Sequence, residues 1–226
     1  MRILIINPNT TASMTEAIGR AAAKAASAGT TILAVNPDNG PASIQGPEDG
    51  EAALPGLYAV FDSYMTGEDA FDAVIIACFD DTGLEELRAR SQVPITGIGE
   101  AAYRLAAETA APFSVVTTLA VSIPVLEYNI KSYGLAVECA RVRASEIPVL
   151  DLEQYPQKAL ARIGSEIADA IASDHCRSIV LGCAGMADMA QLLENTYHVP
   201  VIEGVSAAVA WCEREVMARL ANTDTA

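Results

Sequence analysis

Three stretches of the chain recur in the same order about half a chain later, and any fold must first accommodate that repetition. Gln92-Val93-Pro94-Ile95-Thr96-Gly97-Ile98-Gly99-Glu100-Ala101-Ala102 reads like His198-Val199-Pro200-Val201-Ile202-Glu203-Gly204-Val205-Ser206-Ala207-Ala208, with Val93 and Val199 106 residues apart. Val74-Ile75-Ile76-Ala77-Cys78 lines up with Ile179-Val180-Leu181-Gly182-Cys183, 105 residues on, and Arg2 to Asn7 with Phe113 to Thr118, 111 residues on. A single match would mean little, because strands of α/β proteins resemble one another. An ordered set containing two aligned cysteines predicts two lobes built alike. A chain of 226 residues, 51% of them apolar, has room for two such lobes and for little more.

Short runs of β-branched and other apolar residues alternate with helix-length segments: Arg2 to Ile6, Thr31 to Val35, Ala73 to Ala77, Ile95 to Ile98, Ser114 to Thr117, Ser178 to Leu181, and Val201 to Ile202. The runs are continuous rather than alternating, which suits strands covered on both faces. The fold class expected is therefore α/β: two pseudo-symmetric lobes, each a short, mostly parallel sheet flanked by helices, with the active site between them. Residues 1–98 plus 207–226 would form the first lobe and residues 99–206 the second. Ser13 and Glu16 have capping-box spacing and open an Ala-rich helix reaching about Ala26. The last helix, roughly Ala207 to Leu220, places Val205, Val209, Cys212, Val216 and Leu220 on one apolar stripe.

The net charge of −15 repels phosphate, which argues against nucleic acid and anionic membrane surfaces as partners. No stretch reaches the ~18 apolar residues of a membrane span, and Met1-Arg2-Ile3-Leu4-Ile5-Ile6 runs at once into Asn7-Pro8-Asn9, too early for an export signal. A cytoplasmic location is expected. Five cysteines, an odd count without an export signal, argue for reduced thiols.

In parallel α/β sheets the ligand crevice lies at the carboxyl ends of the strands, where both Cys78 and Cys183 fall. Each is followed by a turn into helix-forming residues, so each thiol is expected near a helix amino terminus, a position that favours thiolate. If the lobes face each other, the thiols approach one molecule from opposite sides. One thiolate then removes a proton from one face of a carbon, the other thiol delivers one to the opposite face, and the roles swap for the mirror-image substrate. Taken singly, a strand-end cysteine is more often a buried small hydrophobe. Two in matching positions favour chemistry. A redox pair has no Cys-x-x-Cys to support it, and a metal pair has no ligand-spaced neighbours, so no metal is expected.

Cys139 sits in a short strand-like run, Cys176 in a loop after Asp174-His175, and Cys212 on the apolar stripe, and none is given a role. His175 and His198 read as surface residues. No Gly-x-Gly-x-x-Gly or P-loop offers a nucleotide seat, and Lys24, Lys131 and Lys158 all lie in helical contexts rather than at strand ends. What remains is proton transfer without a cofactor.

The chain resembles the aspartate/glutamate racemase superfamily and, within it, the hydantoin and allantoin racemases. The likeness covers essentially the whole chain. It is carried by Ile6-Asn7-Pro8-Asn9-Thr10, Gly40-Pro41-Ala42-Ser43-Ile44-Gln45-Gly46, Ala77-Cys78-Phe79-Asp80-Asp81-Thr82-Gly83-Leu84, Ser114-Val115-Val116-Thr117-Thr118 and Leu181-Gly182-Cys183-Ala184-Gly185-Met186. The resemblance implies two pseudo-symmetric lobes, a cofactor-independent two-cysteine mechanism and a homo-oligomer. Amino-acid racemases of the superfamily usually follow their cysteines with Asn-Thr and Thr, which hold an α-carboxylate. Here Phe79 and Ala184 follow, which suits a neutral or weakly acidic ring better than a free amino acid. Arylmalonate decarboxylases keep only the cysteine matching Cys183, so Cys78 argues against them. The usual Asp-Pro-Gly after the first cysteine is Asp81-Thr82-Gly83 here, a departure that still suits a turn.

A hydantoin carries a hydrogen on C5 beside a carbonyl, so its removal gives an enolate whose charge must be met by preorganised donors. The candidates are backbone amides at the two helix starts, Phe79 to Asp80 and Ala184 to Gly185. Asn9 and Thr117-Thr118, at matching strand ends, can hydrogen-bond the ring, although each equally fits a turn or cap. Residues 36–50 are crowded with Pro, Gly, Asn and Asp and read as a long irregular loop, from which Ile44 and Gln45 would line the pocket. Two rivals stand beside this reading. A two-lobed protein can bind a small ligand without chemistry, and a maleate isomerase-like enzyme would use a cysteine covalently.

Overall fold

The computed structural model describes residues 1–66 and 71–223; the last three residues expected in the first lobe, 224–226, lie outside the described residues. The first half runs β1 (Arg2–Ile6), α1 (Ala12–Ala25), β2 (Thr31–Val35), α2 (Pro47–Met65), β3 (Ala73–Ile76), α3 (Leu84–Arg90), β4 (Ile95–Gly97) and α4 (Ile98–Ala110). The second runs β5 (Phe113–Thr117), α5 (Ile123–Ser132), β6 (Cys139–Ala144), α6 (Asp151–Gln154), α7 (Pro156–Ser173), β7 (Ser178–Gly182), α8 (Ala190–Tyr197), β8 (Val201–Glu203) and α9 (Gly204–Thr223). The strand orders are β2-β1-β3-β4 and β6-β5-β7-β8, the same position for position, and every pairing among the described residues is parallel. The α/β class and the two like lobes expected from the repeat are what the chain folds into. The β2–β6 correspondence has no trace in the sequence comparison. Both are edge strands with several side chains exposed or half-exposed, so burial constrains their composition less.

The inner strands are apolar throughout because each sheet is covered twice. Leu4, Ile6, Val74 and Ile76 pack outward against Leu57, Phe61, Leu84 and Leu87 of α2 and α3. Val116, Ile179 and Leu181 pack outward against Ile163, Ile167 and Leu193 of α7 and α8. The alternate residues Ile3, Ile5 and Ile75 of one sheet and Phe113, Val115 and Val180 of the other meet in one cluster that also takes in Met14, Ile98, Tyr103, Val205 and Val209. After β4 the chain crosses over, α4 packing on β5, β7 and β8. After β8 it crosses back, α9 packing on α1, β3 and β4 and against α4. No helix among the described residues is long and apolar enough to cross a membrane.

Four local expectations are corrected. The Ser13–Glu16 capping box does not form: α1 begins at Ala12 after Thr11, and the Ser13 hydroxyl donates instead to Glu153 Oε2 of α6 at 2.9 Å. Asn9 Oδ1 braces that helix start by accepting the Thr11 N–H at 2.9 Å. The irregular loop ends at Gly46 rather than Gly50, because Pro47 suits a first helical position and Glu48 and Asp49 favour the first turn. Helix α9 starts earlier and ends later than its periodicity suggests, and Leu220, assigned to the apolar stripe, is exposed.

The two crossings are anchored by carboxylates supplied differently. At α4, Asp81 accepts the N–H groups of Gly99 at 3.0 Å and Glu100 at 2.8 Å and the Tyr133 hydroxyl at 2.8 Å. It does so from the turn after β3, with φ +52 in the left-handed region that Asp tolerates. A Cβ at Gly97 or Gly99 would overlap the Asp81 carboxylate. At α9, Glu203 accepts the N–H groups of Val205 at 2.7 Å and Ser206 at 2.8 Å. Replacing Asp81 with Ala strands two buried N–H donors and the half-buried Tyr133 hydroxyl, and we expect a loss of about 2–4 kcal/mol, read as a lower urea midpoint at unchanged slope. Asp81→Asn, which keeps an acceptor oxygen, should lose less. An Asp81→Ala midpoint equal to the wild type would show that the clasp does not hold the turn.

Candidate active site

The carboxyl ends of β1, β3, β5 and β7 converge on a narrow cavity of ≈ 30 Å³ between the sheets. Asn7 and Asn9 reach it from the end of β1, and Ala77, Cys78, Phe79 and Asp80 from the end of β3. Thr117 and Thr118 line it from β5, and Gly182, Cys183 and Ala184 from β7. Met14 of α1, Ile44, Ser122 and Val149 close the remaining sides. Both thiols thus face one cavity from equivalent positions on opposite sheets.

Of the other residues singled out in the sequence, Asn9, Ile44, Phe79, Asp80, Thr117, Thr118 and Ala184 also lie on its wall. Gln45 does not. Its side-chain oxygen accepts the Val149 N–H at 2.9 Å, tying the loop of the first lobe to the second. Gly185 lies just behind the wall. The wall residues Asn7, Met14, Ala77, Ser122, Val149 and Gly182 were not picked out. Asn7 and Ala77 stand inside motifs already quoted, whereas Ser122 and Val149 arrive from loops with no local signature.

The two sulfurs have matching backbone partners. The N–H two residues on, that of Asp80 for Cys78 and that of Gly185 for Cys183, donates to the sulfur. These amides, with those of Phe79 and Ala184, are the donors expected from the sequence to meet a substrate oxygen. The N–H groups of Phe79 and Ala184 have no backbone acceptor among the described residues and remain available. The Phe79 ring packs edge-on against Tyr103, centroids 5.3 Å apart, so that turn is set from the core.

Beyond the backbone the thiols differ. Thr82 Oγ1 lies 3.3 Å from Cys78 Sγ, and Asp80 brings a carboxyl, whereas the matching positions in the second lobe are Ala187 and Gly185. Burial raises both thiols above the ordinary range, Cys183 to about 11 and Cys78 higher still, and the Asp80 charge adds to both. The helix starts expected to favour thiolate are outweighed: Cys78 lies six residues before α3, Cys183 precedes only a 3₁₀ turn (Ala184–Met189), and desolvation dominates. Burial likewise lifts the Asp80 carboxyl to about 7.

Several wall groups are already engaged. Asn7 Nδ2 donates to Asn9 Oδ1 at 2.9 Å and Thr15 Oγ1 at 3.0 Å, and the Thr117 hydroxyl donates to the Gly182 carbonyl at 3.0 Å. Among the described residues the hydroxyls of Thr118 and Ser122, both buried, have no hydrogen-bond partner in the protein and face the cavity free. No three His, Cys, Asp or Glu side chains among the described residues converge as a metal site. His175 and His198 are exposed, and neither lines the cavity.

The family model for Asp/Glu/hydantoin racemase matches residues 3–212. A hydantoin racemase of Rhizobium meliloti is 43% identical over 94% of this chain and 88% of its own length. Among solved structures, allantoin racemase from Klebsiella pneumoniae is 41% identical with a TM-score of 0.92, over 96% of this chain and 88% of that one. Allantoin racemase from Pseudomonas fluorescens is 40% identical with a TM-score of 0.91, over 98% of this chain and 92% of that one. A cavity walled by two equivalent strand-end thiols, in a chain this similar to racemases along nearly its whole length, belongs to an isomerase: the protein is a member of the Asp/Glu/hydantoin racemase family.

Proposed function

We propose that the protein racemises 5-substituted hydantoins, allantoin among them, by a two-base proton transfer at C5 between Cys78 and Cys183. The observation that carries this reading is the pair of thiols reaching one cavity from matching ends of two like sheets. A flat ring lying between them presents one face of C5 to each sulfur. One thiolate takes the C5 proton, the electron pair moves onto the neighbouring carbonyl oxygen as an enolate, and the opposite thiol protonates the other face. The free N–H groups of Phe79 and Ala184 and the hydroxyls of Thr118 and Ser122 are placed to meet ring oxygens and the charge that develops on them. The amides of Asp80 and Gly185 stabilise whichever sulfur is ionised. A neutral ring fits this wall, which bears no cationic side chain among the described residues to match a carboxylate. The same reading carries no cofactor, and by family resemblance a cytoplasmic homo-oligomer.

Cys78→Ser and Cys183→Ser should each abolish inversion while leaving the fold intact by circular dichroism. Near wild-type racemisation by either mutant would sink the proposal. In D2O each mutant should still exchange the C5 proton of one enantiomer with retention, Cys78→Ser labelling one hand and Cys183→Ser the other. Labelling of the same hand by both would end the opposed-base model.

The thiols also set a pH dependence. Their raised values mean that the pair is mostly neutral at pH 7, and the ionised fraction grows as pH rises towards about 11. kcat should therefore climb between pH 7 and 10 without a plateau, at most about tenfold per unit. A plateau already reached by pH 8 would show that substrate binding does not leave the thiols in this raised state. Dialysis against a chelator should leave the rate unchanged provided a reductant is present. Activity lost on dialysis and restored by one particular metal ion would contradict a cofactor-free reaction.

A further inference from the structure

A two-base racemase ends each turnover in the wrong state for the next. The thiolate that took the proton is now a thiol, and the thiol that gave one is now a thiolate. Continued conversion of the same enantiomer requires one proton to travel from the first sulfur to the second. Apart from the thiols themselves, the cavity wall holds one ionisable side chain among the described residues, that of Asp80. We propose that Asp80 carries this proton between Cys78 and Cys183 and so resets the pair after each turnover.

Four observations support the assignment, which rests on the two-thiol reading above. The Asp80 charge acts on both sulfurs. Its backbone is fixed, the N–H by Cys78 Sγ and the carbonyl by Asn129 Nδ2 at 2.8 Å, while its carboxyl has no hydrogen-bond partner among the described residues. Asp80 also belongs to the wall of a separate outer groove of ≈ 430 Å³, lined by Glu51, Tyr58, Thr82 and Glu86 among others, so it is shared by the inner cavity and the outer groove. The second lobe has Gly185 at the matching position, which leaves a single carrier for the pair.

The steps balance. Cys78–SH and Asp80–COO⁻ become Cys78–S⁻ and Asp80–COOH. Asp80–COOH and Cys183–S⁻ then become Asp80–COO⁻ and Cys183–SH. One proton has moved between sulfurs, and nothing else has changed. The reverse sequence serves the other hand.

The test separates net turnover from exchange at equilibrium. In a racemic mixture, conversion of one hand leaves the enzyme ready for the opposite hand, so isotopically labelled molecules interconvert without any reset. Starting from one pure enantiomer, every turnover needs it. For Asp80→Asn we expect the ratio of net racemisation of a single enantiomer to label exchange in the racemate to fall about 10²-fold relative to wild type. Asp80→Glu should restore net turnover. For Asp80→Ala, added formate should raise net turnover without raising exchange, which gives a second reading should Asp80→Asn fold poorly. An equal loss of both rates would mark a structural or binding role and overturn the proposal, as would no loss of either. Failure of the two-thiol reading looks different: the wild type would not racemise hydantoins, or the single cysteine mutants would.

Discussion

The apolar layer shared by the two sheets is the constraint on which everything else depends. Ile3, Ile5 and Ile75 from one sheet and Phe113, Val115 and Val180 from the other are buried in a single cluster, so neither sheet can shift without exposing the face of its partner. Each residue of that kind contributes roughly 1.5–3 kcal/mol when withdrawn from water. The layer also dictates where the active cavity lies. Two parallel sheets fastened face to face bring four carboxyl strand ends to one place, and those ends are where a parallel sheet leaves backbone donors and side chains uncommitted.

That placement has a cost for the thiols. A desolvated thiol is disfavoured as thiolate, and burial pushes both sulfurs well above their ordinary range. Each is partly compensated by the N–H two residues on, a bond that requires the tight turn after its strand. At Cys78 the turn is secured from outside by Asp81, which grips the start of α4, and by Phe79, whose ring is sunk against Tyr103. At Cys183 the chain enters a 3₁₀ turn directly, and the start of α9 is capped by Glu203 instead.

The duplication is thus preserved in backbone and relaxed in side chains. Strand order, strand-end sulfurs and amide-to-sulfur bonds are common to both lobes. Asp80, Asp81 and Thr82 exist on one side only, with Gly185, Met186 and Ala187 opposite. The proposed two-base transfer needs equivalent bases on the two sides of its substrate. It does not need equivalent surroundings behind them, and the acidic turn of the first lobe is where the second has none.

Repetition was legible in the sequence wherever burial enforces it. The inner strands β1 and β3 and their counterparts β5 and β7 must be apolar on both faces, so their likeness survives, the edge strands β4 and β8 keep theirs together with the helices they lead into, and the two cysteines at strand ends were readable from it. The edge strands β2 and β6 are half exposed, and their correspondence was lost with that constraint. Local signals failed where a distant partner competed for the same atoms. Ser13 has capping-box spacing but bonds to Glu153, 140 residues away, and Gln45 lies in a pocket-facing motif but is drawn to Val149. What the sequence determined by itself was the α/β class, the paired lobes and the two thiols, because short-range periodicity and internal repetition encode them. Only the tertiary structure decided that Asp80 stands alone with both sulfurs, that Ser122 and Val149 complete the wall, and that burial outweighs the turns in setting the thiols. Those properties depend on desolvation and on contacts between residues far apart in the chain, and no local pattern records either.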